Sequence, residues 1–143
     1  MKAEQLSIFM ENVPGTLLAV VEVLAAKGIN IRALSLADTM DYGVLRLIAD
    51  RPREAREALR EQGFTAKVTE VLAIEIPDEP GRLAALLAKF AGAGINVEYM
   101  YTFLGRSDHG AIMIFRLDDL DKGLALISPG VGRAIPQAEL SRY

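Results

Sequence analysis

Two short turns hold the residues of this sequence best placed to bind a ligand. Asn12-Val13-Pro14-Gly15-Thr16-Leu17 and Asp78-Glu79-Pro80-Gly81-Arg82-Leu83 each precede an apolar stripe with helical spacing. A Pro-Gly pair fixes the backbone and permits a positive φ, leaving the first amides of the next helix pointing into the space above the loop. That helix end carries about half a positive charge, which suits a carboxylate or phosphate. Asn12 adds an amide donor, and Asp78 an acceptor for an ammonium group. Asn30 and Asn96 open the following strand with alternation opposite to Ile29 and Ile31, so they face away from the core. Taken together, the set fits a zwitterion. The same residues also suit an ordinary turn, helix stop and strand start, so a purely structural role stands beside the binding one.

Other chemistry is scarce. There is no cysteine and one histidine, which excludes disulfides, thiol nucleophiles, cysteine zinc sites and any scheme needing two histidines. His109 sits in the polar hairpin Ser107-Asp108-His109-Gly110 and reads as a solvent-exposed turn residue. Asp118, Asp119 and Asp121 could hold a hard cation, yet capping and charge at a helix start explain them equally well. Tyr99, Tyr101 and Phe103 alternate as in base-stacking sheets, but no basic residues interleave with them, so packing is expected. Arg51, Arg53, Arg56 and Arg60 alternate with Glu54, Glu57 and Glu61 as a solvated helix face does. No metal and no cofactor is expected.

The elements that must position the turns come in two copies. Pro14 recurs as Pro80, an offset of 66, and Gly28-Ile29-Asn30-Ile31 recurs at the same offset as Gly94-Ile95-Asn96-Val97. Gly43 and Gly110 stand 67 apart, which suggests one inserted residue in the second hairpin. In the first copy Leu6, Ile8 and Met10 alternate as a strand, and Leu17, Val20, Val21 and Leu24 form a helical stripe that Gly28 stops. Ile29 to Ala37 and Gly43 to Ala49 read as a hairpin around Thr39 to Tyr42. Asp50 then caps a helix with Pro52 in its first turn and Gly63 at its end, and Phe64 to Val68 closes the unit. In the second copy Thr69 to Ile76 runs straight on as a strand. A helix through Leu83, Leu86, Leu87 and Phe90 follows, then strands Ile95 to Leu104 and Gly110 to Leu117. The end is weaker, with a short helix Leu120 to Ile127, a strand Val131 to Ile135 and a terminal helical turn.

The order strand, helix, strand, strand, helix, strand, given twice, is the ferredoxin-like pattern. The expected fold is therefore α+β: two tandem βαββαβ units, residues 1–68 and 69–143, each with an antiparallel sheet covered on one face by helices. Ile112 to Phe115 and Leu47 to Ala49 are apolar on consecutive positions, so both sheet faces want cover. Helices cover one; the other needs the neighbouring repeat, a second chain or both, and a homodimer or higher oligomer is expected. Apolar residues at 51% and charged at 24% describe an ordinary globular chain. A net charge of -3 without a basic run speaks against nucleic acid. No apolar stretch reaches the roughly 20 residues of a membrane span, and the N-terminus is too charged for a signal peptide, so a cytoplasmic protein is expected.

With both turns and both Gly-Ile-Asn stops in register, the sequence resembles the ACT domain, the small ligand-binding module of amino-acid metabolism, over nearly its whole length. It is similar to the stand-alone tandem ACT proteins, some related to the acetolactate synthase regulatory subunit. The resemblance implies regulation, with an amino acid bound between one domain's turn and its neighbour's strand. By position, Asn12 and Asn30 match the two asparagines that contact ligand in the serine-binding members, and Asn96 matches in the second copy. Met10 replaces a histidine often found in those members, and Asp78 replaces the asparagine. The implied ligand set is Asn12, Val13, Pro14, Gly15, Thr16, Leu17 and Asn30, with Asp78, Glu79, Gly81, Arg82 and Asn96 in the second copy. The first copy's turn is the better match.

The reading that follows is a non-catalytic sensor of a free amino acid, acting on a biosynthetic enzyme in trans, with acetolactate synthase a family-level suggestion. Two alternatives stand beside it. One is an oligomerisation module without ligand. The other, a small ferredoxin-like metabolic enzyme, needs a cluster of convergent titratable groups that the sequence does not offer.

Overall fold

The computed structural model describes residues 1–38, 42–105 and 107–143. Its elements are β1 (Ala3–Met10), α1 (Thr16–Ala26), β2 (Ile31–Asp38), β3 (Gly43–Ala49), α2 (Pro52–Glu61), β4 (Thr65–Ile76), α3 (Arg82–Gly92), β5 (Val97–Thr102), β6 (Ala111–Leu117), α4 (Leu120–Ala125), β7 (Arg133–Ala134) and α5 (Gln137–Leu140). They form two compact units, Glu4–Thr69 and Glu70–Tyr143, the latter joined by Met1–Ala3. The start of β4 closes the first unit and the rest opens the second. Strand orders are β2-β3-β1-β4 and β5-β6-β4-β7, the same order when each unit's strands are counted from its own start. The β1–β3, β2–β3, β4–β6, β4–β7 and β5–β6 pairs are antiparallel. This is the ferredoxin-like α+β architecture expected from the element order.

Each unit has its own core, built by the periodicities visible in the sequence. Leu6 faces Leu47 and Ile8 faces Leu45 across β1 and β3, and these four pack with Val20 and Leu24 of α1 and Ala55 and Leu59 of α2. In the second unit Leu72, Ile74 and Ile76 of β4 join Phe115 and Leu117 of β6 and Leu86 and Phe90 of α3. Phe90 and Phe115 meet edge to face, with ring centroids 5.8 Å apart. Ile48, Ile112 and Ile114, at the alternate positions of β3 and β6, are buried as well.

Element ends follow from backbone hydrogen bonds. Gly28 and Gly94 take positive φ, and the amides of Ile29 and Ile95 donate back to Leu24 and Phe90. Those amides belong to the helix stop, so β2 and β5 begin at Ile31 and Val97 rather than at Ile29 and Ile95. The amides of Leu126 and Ile127 donate three residues back, to Gly123 and Leu124, so α4 ends in a tighter turn two residues short of expectation. A further turn from Val131 to Ser128 leaves Arg133 and Ala134 to pair with Glu75 and Ile74, after which Ile135 N–H donates to Ala73.

The hairpin inserts differ from the sequence reading. Leu36 and Thr102 keep the 66-residue offset, yet their partners Leu45 and Met113 stand 68 apart. The second hairpin therefore carries two extra residues, and Gly43 and Gly110 are not equivalents in register. Of the first hairpin turn, Thr39 to Asp41 lie outside the described residues. Among the described residues no helix is long and apolar enough to cross a membrane.

Candidate functional site

The two Pro-Gly turns have the same construction down to single hydrogen bonds. Thr16 N–H donates to Val13 and Arg82 N–H to Glu79, closing turns whose glycines, Gly15 and Gly81, take φ of 90° and 85°. Ala19 N–H donates to Gly15 and Ala85 N–H to Gly81, the first bonds of α1 and α3. The amides of Leu17, Leu18, Leu83 and Ala84 thus precede the first intrahelical donor, and no side chain caps either helix. Asn12 leans on the start of β3, where a β-carbon built on Gly43 would lie 3.2 Å from the Asn12 Cβ. The side chains of Asn12, Asn30, Asp78 and Asn96 are exposed, and none engages a partner among the described residues.

Asn30 and Asn96 are fixed by a lock absent from the sequence reading. Asp50 Oδ1 accepts the Asn30 N–H at 3.2 Å while Asp50 N–H donates to Asn30 O. Asp118 does the same for Asn96, at 3.0 Å. Asp50 is therefore not the cap of α2. Arg51 holds the cap position without a side-chain bond, and its guanidinium instead donates to the C-terminal carbonyls of Lys27 and Gly28 behind α1. Lys122 serves α3 in the same way through Ala93 O. Asp50 recurs as Asp118 at an offset of 68, beyond the longer hairpin and so outside the 66-residue spacing. Asp50→Ala is expected to cost about 1 kcal/mol of stability in chemical denaturation, since it strands the Asn30 amide.

The structure separates what the sequence reading joined. Met10, just before the first turn, pairs with Gly43 at the start of β3, whereas Ile31, just after Asn30, pairs with Ala49 at its end. Six strand steps lie between, or about 20 Å. Asn12 and Asn30 hence stand at opposite ends of one unit and cannot grip one small zwitterion there. Asp78 and Asn96 are divided likewise, through Ile76 with Ala111 and Val97 with Leu117.

Other candidates resolve into structural roles. Asp118 locks Asn96, Asp119 caps α4 through Lys122 N–H, and Asp121 pairs with Lys2 at 2.9 Å. No grouping suited to a metal occurs among the described residues. Tyr101 and Phe103 are buried, hence unavailable to stack on bases. A feature missed in the sequence is the buried Glu75, which accepts from the Ser107 hydroxyl and pairs with Arg133. Its hydrogen bond with Glu139 raises the Arg133 guanidinium above its ordinary range, against burial, and Tyr143 and Glu75 add to the effect. A β-strand position five residues before Pro80 gives no sign of this in the sequence.

A family model describing an ACT domain pair matches residues 1–132. The chain belongs to the ACT domain pair family. The crystal structure of protein BT0572 from Bacteroides thetaiotaomicron is similar to this ACT pair at 35% identity and a TM-score of 0.91, covering 100% of this chain and 98% of that one. The regulatory subunit of aspartate kinase from Thermus thermophilus, in a ligand-free form, shares the fold at 19% identity and a TM-score of 0.60, covering 85% and 87%. That from Thermus flavus does so at 18% and 0.56, covering 80% and 82%. No curated protein matches. The two copies of this ACT pair are not interchangeable at their surfaces. Leu34 and Leu36 on edge strand β2 are 37% and 41% exposed, and Met100 and Thr102 stand at their places in β5.

Proposed function

We propose that this ACT pair is a non-catalytic sensor that binds a free amino acid between the first units of two chains and passes occupancy to a biosynthetic enzyme in trans. The observation that carries it is the placing of Asn12 with its open helix amides at one end of the unit and the locked Asn30 at the other. Neither half suffices alone. Two first units aligned antiparallel along β2 would bring the turn of each to the Asn30 of its neighbour. The amides of Leu17 and Leu18 then take the ligand carboxylate, and the two asparagine amides take its carboxylate and ammonium. Because such a ligand binds only the paired state, occupancy shifts the assembly equilibrium, which is the differential affinity a regulator needs.

The edge of β2 supports a homodimer of this kind. It ends its strand order, so its outer backbone groups have no strand partner among the described residues. Its middle, Leu34-Ser35-Leu36, carries no lysine or proline, and the bulge of β2 lies at its start, between Ile31 and Ala33. Two-fold pairing of such an edge is self-complementary. The double variant Leu34→Glu and Leu36→Glu is expected to weaken self-association on the order of 100-fold in analytical ultracentrifugation, because carboxylates would be buried or opposed in the interface. A dimer of unchanged affinity would place the interface elsewhere.

The function itself is tested by a thermal-shift screen against the twenty amino acids. A saturable rise with one chemical group of them, lost in Asn12→Ala and in Asn30→Ala, is the expected result. No rise with any of them would favour a ligand-free oligomerisation module.

A further inference from the structure

We infer that the second unit holds a separate site for a small oxyanion, complete within that unit. It goes beyond the amino-acid reading and does not depend on it. A cavity of about 310 Å³ lies at the turn end of β4, walled by Glu75, Pro77, Arg82, His109, Gly130 and Arg133. The size is at the lower limit of small-molecule pockets, so the occupant is a compact metabolite rather than a nucleotide.

The donors decide its charge. Arg133 spends its guanidinium on Glu75, Glu139 and the Tyr143 hydroxyl, and Ser107 takes the other oxygen of Glu75. Both Glu75 oxygens are thus held where they lie, and neither is left to accept from Arg82 or His109. Arg82 gives Nε to Glu79 and reaches Gly130 O through Nη1 at 3.5 Å, while its Nη2 has no partner among the described residues. The His109 ring is likewise unengaged, since only its backbone N–H donates, to Ser107. Two donors, Arg82 Nη2 and the His109 ring, therefore border one cavity. A carboxylate or a phosphate accepts from such a fork, Arg82 being suited to planar oxyanions. The first unit has Thr16 at the place of Arg82, so this chemistry belongs to the second copy alone.

His109 is the chain's only histidine, so its imidazole C2–H proton gives one resolvable NMR signal. We would titrate the full chain with inorganic phosphate and with succinate, against chloride at matched ionic strength. The expected result is a saturable displacement with phosphate, succinate or both but not with chloride. The lower midpoint would tell whether phosphate or a carboxylate is preferred. Arg82→Gln should raise that midpoint at least tenfold. Glu79→Gln should lower it about two- to fivefold, because Glu79 competes for Arg82. The Leu34→Glu, Leu36→Glu variant should leave it unchanged, which separates this site from one that needs two chains. A displacement linear in anion concentration, or a midpoint indifferent to Arg82→Gln, would overturn the inference while leaving the amino-acid screen to be judged by itself.

Discussion

Gly110→Ala is expected to destabilise the protein by about 3 to 5 kcal/mol, the sum of a backbone conformation closed to side chains and an overlap that cannot relax. Gly110 has φ of 151°, and a β-carbon there would stand 2.0 Å from Ile76 O and 2.7 Å from Ile76 C. Both atoms belong to the backbone of β4, which cannot yield without breaking its pairing with β6. In a melt followed by circular dichroism the midpoint should fall by on the order of 10 °C. Ser107 and Gly110 form an isolated antiparallel bridge, and a fall below about 2 °C would mean that this hairpin yields to a side chain. Gly43→Ala makes the contrast. Among the described residues it would meet Asn12 Cβ at 3.2 Å, Met10 O at 3.5 Å and Asn12 Cγ at 3.7 Å, at an ordinary φ. Its cost should stay under about 1 kcal/mol, while displacing Asn12 by a few tenths of an ångström and weakening any ligand held there. One glycine thus makes room for backbone and the other for the Asn12 side chain, although the sequence pairs them by spacing.

What the sequence made legible is what short-range chemistry decides. The Pro-Gly turns, the Gly28 and Gly94 stops and the stripes of α1 and α3 depend on neighbours within one helical turn, and each appears where its residues demand. Asp50, before Arg51-Pro52, suits a helix cap locally, whereas its actual partner Asn30 lies twenty residues back. Glycine spacing counts one inserted residue where the hairpin has two, because register is fixed by strand partners such as Leu45 and Met113. The distance between Asn12 and Asn30 was implicit in the element order. An 11-residue helix spans about 16 Å, enough to carry the chain from the end of β1 back to the end where β2 begins. Nearness in number across a βαβ unit is separation in space.

That separation gives the decisive test of the proposed function. At 100 times its dissociation constant the amino acid should add about 2.7 kcal/mol to the native state, and Asn12→Ala or Asn30→Ala alone should remove most of it. Mixing the two variants distinguishes a shared site from a local one. In a heterodimer one interface site carries both substitutions, while the other joins the intact Asn12 of one chain to the intact Asn30 of its partner. Unfolding and refolding the mixture together should therefore restore binding to about one site in half of the dimers, if the chains assort at random. Calorimetric titration would then read roughly a quarter of the wild-type stoichiometry at wild-type affinity. If both asparagines served one ligand within a unit, no mixture could regain a site. If Asn12 alone held the ligand, Asn30→Ala would bind by itself before any mixing, and the coupling between occupancy and assembly would disappear with it.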